Sequence, residues 1–251
     1  ALLAGLNAPH AWIPCKYFYD ALGSQLFDSI THLPEYYLTR SEAAIFSRHA
    51  GDIARAVGTG RTLIDLGAGN CEKAASLFGA LKPAHYVAVD ISADYLETAL
   101  VRLRQQFPDI GMTGLGMDMS EGLCLPAGVP DTGRLFFYPG SSIGNFTPAD
   151  AAGFLCDLRT QCRQQGGLLI GVDLIKEKAL LDAAYDDALG VTAAFNLNAL
   201  NNVNSALGSN FNVRDWRHCG FFNQTVSRAE MHVETRLTVD VHWPGGTRRF
   251  E

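Results

Sequence analysis

The chain has 251 residues, 47% of them hydrophobic and 18% charged, with 20 basic side chains against 26 acidic ones and a formal charge of −6. At about 150 residues per domain, this is enough for one catalytic domain and a smaller unit. No apolar run approaches the roughly 18 residues of a helical membrane span, and the acidic balance excludes the electrostatic footprint of a nucleic-acid backbone binder. A small-molecule partner is expected instead. The cysteines at 15, 71, 124, 156, 162 and 219 form no C-x-x-C pair, and the histidines form no H-E-x-x-H. Neither a metal site nor a disulfide framework is indicated. Scattered single cysteines behind no recognisable signal peptide read as reduced thiols in a cytoplasmic protein.

In chain order, Phe18, Leu22, Leu26 and Ile30 recur every fourth residue and predict one helix face. Pro34 stops that helix in LPEYYLTR, and Thr39 with Glu42 three positions on predicts a capping box for the next. From about 42 to 175, apolar runs (TLIDL, HYVAVD, RLFFY, LLIGVD) alternate with amphipathic stretches (CEKAASLF, SADYLETALVRLRQQF, TPADAAGFLCDLRTQC). Such runs are parallel strands covered on both faces, so a doubly wound α/β sheet is predicted. Thr147-Pro148 opens one of its helices, with a cap followed by proline at the first helical position. After a helical stretch from Lys176 to Leu207 the period changes to two. Met231, Val233, Leu237, Val239 and Val241 alternate with Glu230, His232, Glu234, Arg236 and Asp240, and Gly245-Gly246 marks a turn. Residues 42–175 are therefore read as one domain, and residues 1–41 with 176–251 as a second, α+β unit.

LIDLGAGNCEK places Gly67 and Gly69 after a strand and before a helix, where backbone can approach a ligand. A dinucleotide fingerprint needs a third glycine where this chain has Glu72, and a pyrophosphate would be repelled there. Asp65 suits a cationic ligand. Asp90, at the end of the second strand, can accept the hydroxyls of a ribose, and Asp118 in GMDMS stands at the next strand end, toward an adenine amino group. A lone G-x-G is an ordinary tight turn about half the time; three acids at successive strand ends are less ordinary. At this point the sequence resembles a class I S-adenosylmethionine-dependent methyltransferase with a Rossmann-like sheet.

Longer motifs narrow the resemblance: YFYDALGSQLFDSITHLPEYYLTRSE, DLGAGNCEK, YPGSSIGNFTP and AYDDALGVTAAFNLNAL. From about Tyr17 onward the chain is similar to the L-histidine N-alpha-methyltransferases of ergothioneine biosynthesis. The resemblance implies that Gly67, Lys73, Asp90, Asp118 and Met119 hold S-adenosylmethionine, and that Tyr36, Asn145 and Tyr185 bind L-histidine. Tyr19 and Gly140 match positions near the substrate amine, so Tyr19 and Asn145 are the candidate catalytic residues. Met231 matches a pocket residue, although its alternation alone reads as core. The implied reaction is trimethylation of the alpha-amine to hercynine by a monomer, with no metal, nucleic-acid or membrane partner. Asn145 carries both the donors and the acceptor that an amino acid's two charged groups require, and tyrosines offer a phenolic donor on an apolar body.

Two features depart from the family. Its pattern continues past the position of Glu251 with an acid and a serine that grip the imidazole, and the hairpin that ordinarily follows LLIGVD is missing, which would leave that strand as an apolar edge. The expectation is either a truncated or partial chain, since it starts at Ala1 without methionine and stops in mid-pattern, or one that has lost part of its function. Alternatives are the same chemistry on another amino acid or a histidine-derived thiol, and a binding module that keeps the cofactor pocket without turnover. A nucleic-acid methyltransferase is disfavoured, because YPGSSIGN is not of the N-P-P-Y type.

Overall fold

A computed structural model describes residues 1–119, 122–163 and 165–251. These separate into two compact units, Ala1–Tyr37 with Ile175–Glu251, and Leu38–Leu174. No helix among the described residues is long and apolar enough to cross a membrane.

The chain starts with α1 (Leu2–Asn7), a 3-10 turn at Cys15–Phe18, and α2 (Ala21–Thr31). The predicted helix face is corrected here. Asp20 is extended and accepts from Gly23 N (2.7 Å), so α2 starts after Phe18, and Leu22 is 50% exposed while Gly23 and Ile30 are buried. Asp20 Oδ1 also accepts from Asn198 Nδ2 (2.8 Å), and Asn202 Nδ2 donates to Tyr17 O (2.7 Å). Losing the cap removes both uses of the carboxylate. Asp20→Ala is expected to lower unfolding free energy by about 1–2 kcal/mol in urea titrations monitored by circular dichroism.

The predicted cap at Thr39 is a second correction. Tyr36 N donates to Leu33 O (3.2 Å) and Tyr37 N to Glu35 O (2.9 Å), so the Pro34 turn is closed by backbone bonds up to Tyr37. Helix α3 (Tyr37–Val57) therefore begins ahead of Thr39. Glu42 does not reach back to cap it, because its carboxylate is engaged elsewhere.

In the unit that follows, β1 (Thr62–Leu66), α4 (Glu72–Leu81), β2 (His85–Asp90), α5 (Ala93–Gln106), β3 (Gly111–Gly116), β4 (Arg134–Tyr138), α6 (Pro148–Cys162) and β5 (Gly167–Ile170) form the expected parallel α/β arrangement. Strand order is β3-β2-β1-β4-β5, all pairs parallel. Alternate residues face opposite layers. Leu63, Tyr86, Ala88, Leu135 and Phe137 join Phe46 of α3 and the inner faces of α4 and α5. Ile64, Leu66, Val87, Val89, Phe136 and Tyr138 join Phe154 and Leu158 of α6. Both layers are apolar, which is why these strands read as unbroken hydrophobic runs. Strand β3, GMTGLG, escaped that pattern because it is an end strand with three glycines. A Cβ at Gly114 would stand 2.7 Å from Leu100 Cδ1 and one at Gly116 2.8 Å from Ala93 Cβ, so close helix packing excludes larger residues. The predicted strand LLIGVD stops at Ile170, and Thr147 caps α6 as expected, accepting from Asp150 N (3.2 Å).

In the other unit, the predicted single helical stretch is two helices, α7 (Lys178–Tyr185) and α8 (Val191–Leu207). Gly190 takes φ +75°, and the buried Asp187 carboxylate accepts from Val191 N (3.0 Å) and Thr192 N (2.7 Å), restarting the helix. Two antiparallel hairpins follow, β6 (Trp216–Asn223) with β7 (Arg228–Thr235) and β8 (Val239–Trp243) with β9 (Gly246–Phe250). Leu237 lies in the bend between them at 55% exposure, which breaks the predicted alternation. Leu2, Leu6, Leu200, Val203, Phe211, Trp216, Val241 and Trp243 form the core of this unit.

Candidate active site

Strand order reverses between β1 and β4, and the loops leaving their C-terminal ends are where an open parallel sheet places a ligand. After β1, Gly67 (φ +73°) and Gly69 (φ +53°) form a left-handed turn whose Gly67 and Ala68 amides donate to Val89 O (2.8 and 3.0 Å). A Cβ at Gly69 would meet nothing within 4 Å, and one at Gly67 only Met119 Cε at 4.0 Å. The turn thus presents bare backbone to open space. Asp90 holds it: Gly69 N donates to Asp90 Oδ2 (2.9 Å) and Ser92 N to Oδ1 (2.9 Å). Each oxygen keeps a lone pair for another donor such as a hydroxyl. Asp118 and Met119 follow β3 and are half-buried. The structure therefore brings Gly67, Asp90 and Met119 to one strand-end edge, with a cradle that fits a nucleoside ligand.

Lys73, in the first turn of α4, places Nζ 2.7 Å from Glu42 Oε2, an ion pair whose angles fall outside hydrogen-bond geometry. Glu42 Oε1 accepts from Gly140 N (2.7 Å). Gly140 has φ +74°, and a Cβ there would stand 2.9 Å from Lys73 Nζ. The loop continues into a 3-10 turn, Ser142–Asn145, held by Ser142 Oγ donating to Pro139 O (2.9 Å), with Asn145 exposed. Glu42 was not identified from sequence as a site residue. One signal was there: it stands midway between Leu38 and Phe46, both buried, at four-residue spacing on the inward stripe of α3.

In the other unit, Tyr36 is buried and stacks edge-on with Tyr185 (ring centroids 6.3 Å) and with Phe27 (6.3 Å). Tyr19 meets Phe27 (5.8 Å) and Phe195 (5.7 Å) edge-on, so Phe27 joins Tyr19 to Tyr36. Tyr185 ends α7, where its carbonyl is 2.8 Å from His218 Nε2; His218 Nδ1 is 2.8 Å from Asn196 Nδ2. An amide nitrogen can only donate, so these bonds fit the tautomer with its proton on Nε2. Met231 is half-buried and pairs with Gly220, where a Cβ would stand 2.2 Å from Tyr185 O. Cross-strand partners point the same way, which puts Met231 on the sheet face that carries Tyr185. Neither Phe27 nor His218 was identified from sequence, because a lone aromatic or histidine has no local signature.

Asp65 points from β1 into the α3–α5 layer. It is 1% exposed, and Tyr86 Oη donates to its Oδ2 (2.7 Å) while Oδ1 is buried without a hydrogen bond. Burial pushes its carboxyl up from 3.8 to about 7, against the lowering effect of the Tyr86 bond. Its proton is therefore kept up to about pH 7 in the fold but only to 3.8 in the unfolded chain. Stability from this group is complete below the lower value and is lost as pH rises to the upper one. Asp65→Asn is expected to flatten that fall, so thermal melts from pH 4 to 8 should converge less steeply for the variant than for the parent; parallel profiles would contradict the buried-acid assignment. No cluster of three metal-ligating side chains occurs among the described residues.

A family model described as a histidine-specific, S-adenosylmethionine-dependent methyltransferase matches residues 1–251. Histidine N-alpha-methyltransferase of Mycolicibacterium smegmatis is 40% identical over 95% of this chain and 74% of its own length. That of Mycobacterium tuberculosis is 38% identical over 91% of this chain and 71% of its own. Ergothioneine biosynthesis protein 1 of Neurospora crassa is 36% identical over 83% of this chain, which is matched to 24% of that longer protein. With a match along its whole length and a glycine turn tied to Asp90 at the end of the second strand, the chain belongs to the histidine-specific, S-adenosylmethionine-dependent methyltransferases.

Proposed function

We propose that the chain methylates the alpha-amine of free L-histidine three times, giving hercynine in ergothioneine biosynthesis, as a cytoplasmic monomer. The observation that carries the substrate is the 40% identity to a histidine N-alpha-methyltransferase over 95% of this chain. Residues 38–174 form the cofactor unit in this reading, with Gly67, Lys73, Asp90, Asp118 and Met119 as its binding residues. Tyr36, Gly140, Asn145, Tyr185 and Met231 bind histidine, and Tyr19 and Asn145 serve catalysis. The free cysteines accord with a reducing compartment.

When bound, S-adenosylmethionine supplies a methyl on a sulfonium, which departs as a thioether under in-line attack by an amine. The chain must orient that amine, take up its proton and keep water out. Gly140 has its N–H committed to Glu42, so its carbonyl is the group left to accept from an amine. The Asn145 side chain offers both donor and acceptor to the substrate's charged groups. In this reading, desolvation beside the Tyr19, Phe27 and Tyr36 rings disfavours the ammonium relative to the free amine, and the Tyr19 phenol relays its proton. Mono- and dimethylamines keep a lone pair, so the same machinery serves all three transfers. Incubation with methyl-labelled cofactor and single amino acids, read by tandem mass spectrometry, should give an alpha-trimethylated product from histidine. Label confined to the imidazole, on a thiol, on other amino acids in preference, or on none of them rejects the reading.

A further inference from the structure

One carboxylate stands between the lysine of the cofactor turn and the loop that carries Gly140. The Glu42 side chain is 12% exposed and that of Lys73 37%, with the ion pair at 2.7 Å. Glu42 Oε1 is taken by Gly140 N, and Oε2 faces Lys73. Two glycines make room for the arrangement. A Cβ at Gly171 would stand 2.2 Å from Glu42 Oε1, and one at Gly140 2.9 Å from Lys73 Nζ. Gly171 is itself laced to the same loop, donating to Tyr138 O (3.0 Å) and accepting from Ser141 N (3.2 Å). A buried carboxylate needs both a counter-charge and hydrogen-bond donors, and here each of its oxygens has found one of them.

We propose that Glu42 is a positioning residue that holds Lys73 and Gly140 with its two oxygens, and so sets the cofactor-binding ammonium and the substrate-side loop through a single side chain. The inference rests on the reading of Lys73 as a cofactor residue and Gly140 as a substrate one. It explains why a glutamate occupies the inward stripe of α3 where a leucine or phenylalanine would otherwise pack. In Glu42→Gln the amide oxygen can still accept from Gly140 N, but no negative charge faces Lys73. In Glu42→Ala both links are lost.

The test uses two readouts that need no histidine: titration calorimetry with S-adenosylhomocysteine, and amide hydrogen exchange across Gly140. Glu42→Gln should weaken S-adenosylhomocysteine binding about five- to tenfold, a charge-assisted contact discounted for the half-exposed lysine, while Gly140 stays protected. Glu42→Ala should weaken binding at least as much and also expose the Gly140 amide. In a Lys73→Met background, Glu42→Gln should have no further effect on binding, which a general folding defect would not produce. Unchanged affinity in Glu42→Gln, or an equal loss with and without Lys73, overturns the proposal. A parent chain that passes these tests yet leaves histidine unmethylated refutes the substrate reading alone.

Discussion

Replacing Asp90 by alanine is expected to lower affinity for S-adenosylmethionine by about 1.5–3 kcal/mol, roughly 10- to 150-fold. Two losses combine in that figure. The carboxylate can accept from a cofactor hydroxyl, and it already anchors Gly69 N and Ser92 N at 2.9 Å each. Without it the left-handed turn at Gly67 and Gly69 loses its side-chain tie to β2 and must be ordered by the cofactor itself. Asp90→Asn keeps one acceptor oxygen and should lose less. Calorimetry with both variants separates the contributions, and unchanged affinity in Asp90→Ala would remove Asp90 from the cofactor site. The fold should tolerate the change, because the Val89 carbonyl continues to hold Gly67 and Ala68 from the backbone.

Asn145→Ala is expected to lower kcat/KM for histidine about a hundredfold while leaving cofactor affinity within about twofold. Asn145 sits at the end of the 3-10 turn after Gly140 and is exposed, so its removal leaves no cavity. A residue that orients the amine acts most strongly where the attacking lone pair must lie in line, so turnover should fall along with substrate affinity. Steady-state kinetics in both substrates, with S-adenosylhomocysteine binding as the control, give the answer. A rise confined to the cofactor's KM would move Asn145 to the other ligand.

Much of the α/β core was legible because the physics is local. A strand covered on both faces is apolar along its middle, and TLIDL, HYVAVD and RLFFY are nearly so, with polar residues at their ends and Asp65, tied to Tyr86, inside. A left-handed turn calls for residues without a Cβ, and Gly67 and Gly69 announced it. Helix starts were legible only where the cap is the decisive bond: Thr147 before Pro148 is correct, whereas Thr39 is bypassed because the helix after the Pro34 turn already starts at Tyr37. The amphipathic reading placed Phe18 in α2 because period alone cannot show that Asp20 interrupts it.

Contacts between distant positions belong to the tertiary structure. Glu42 and Gly140 are 98 positions apart, Asn198 and Asp20 178, His218 and Tyr185 33. Nothing in the neighbourhood of any of these residues encodes its partner, since each bond forms only after sheet order or helix packing has brought two segments together. The sequence by itself determined the types of most core elements, the glycine turn and the family, but not that Asp65 turns inward to Tyr86. The fold decided which carboxylate meets Lys73, which carboxylate oxygen takes the Gly140 amide, and which ring nitrogen meets the Tyr185 carbonyl, because buried polar groups take the partners that packing leaves within reach.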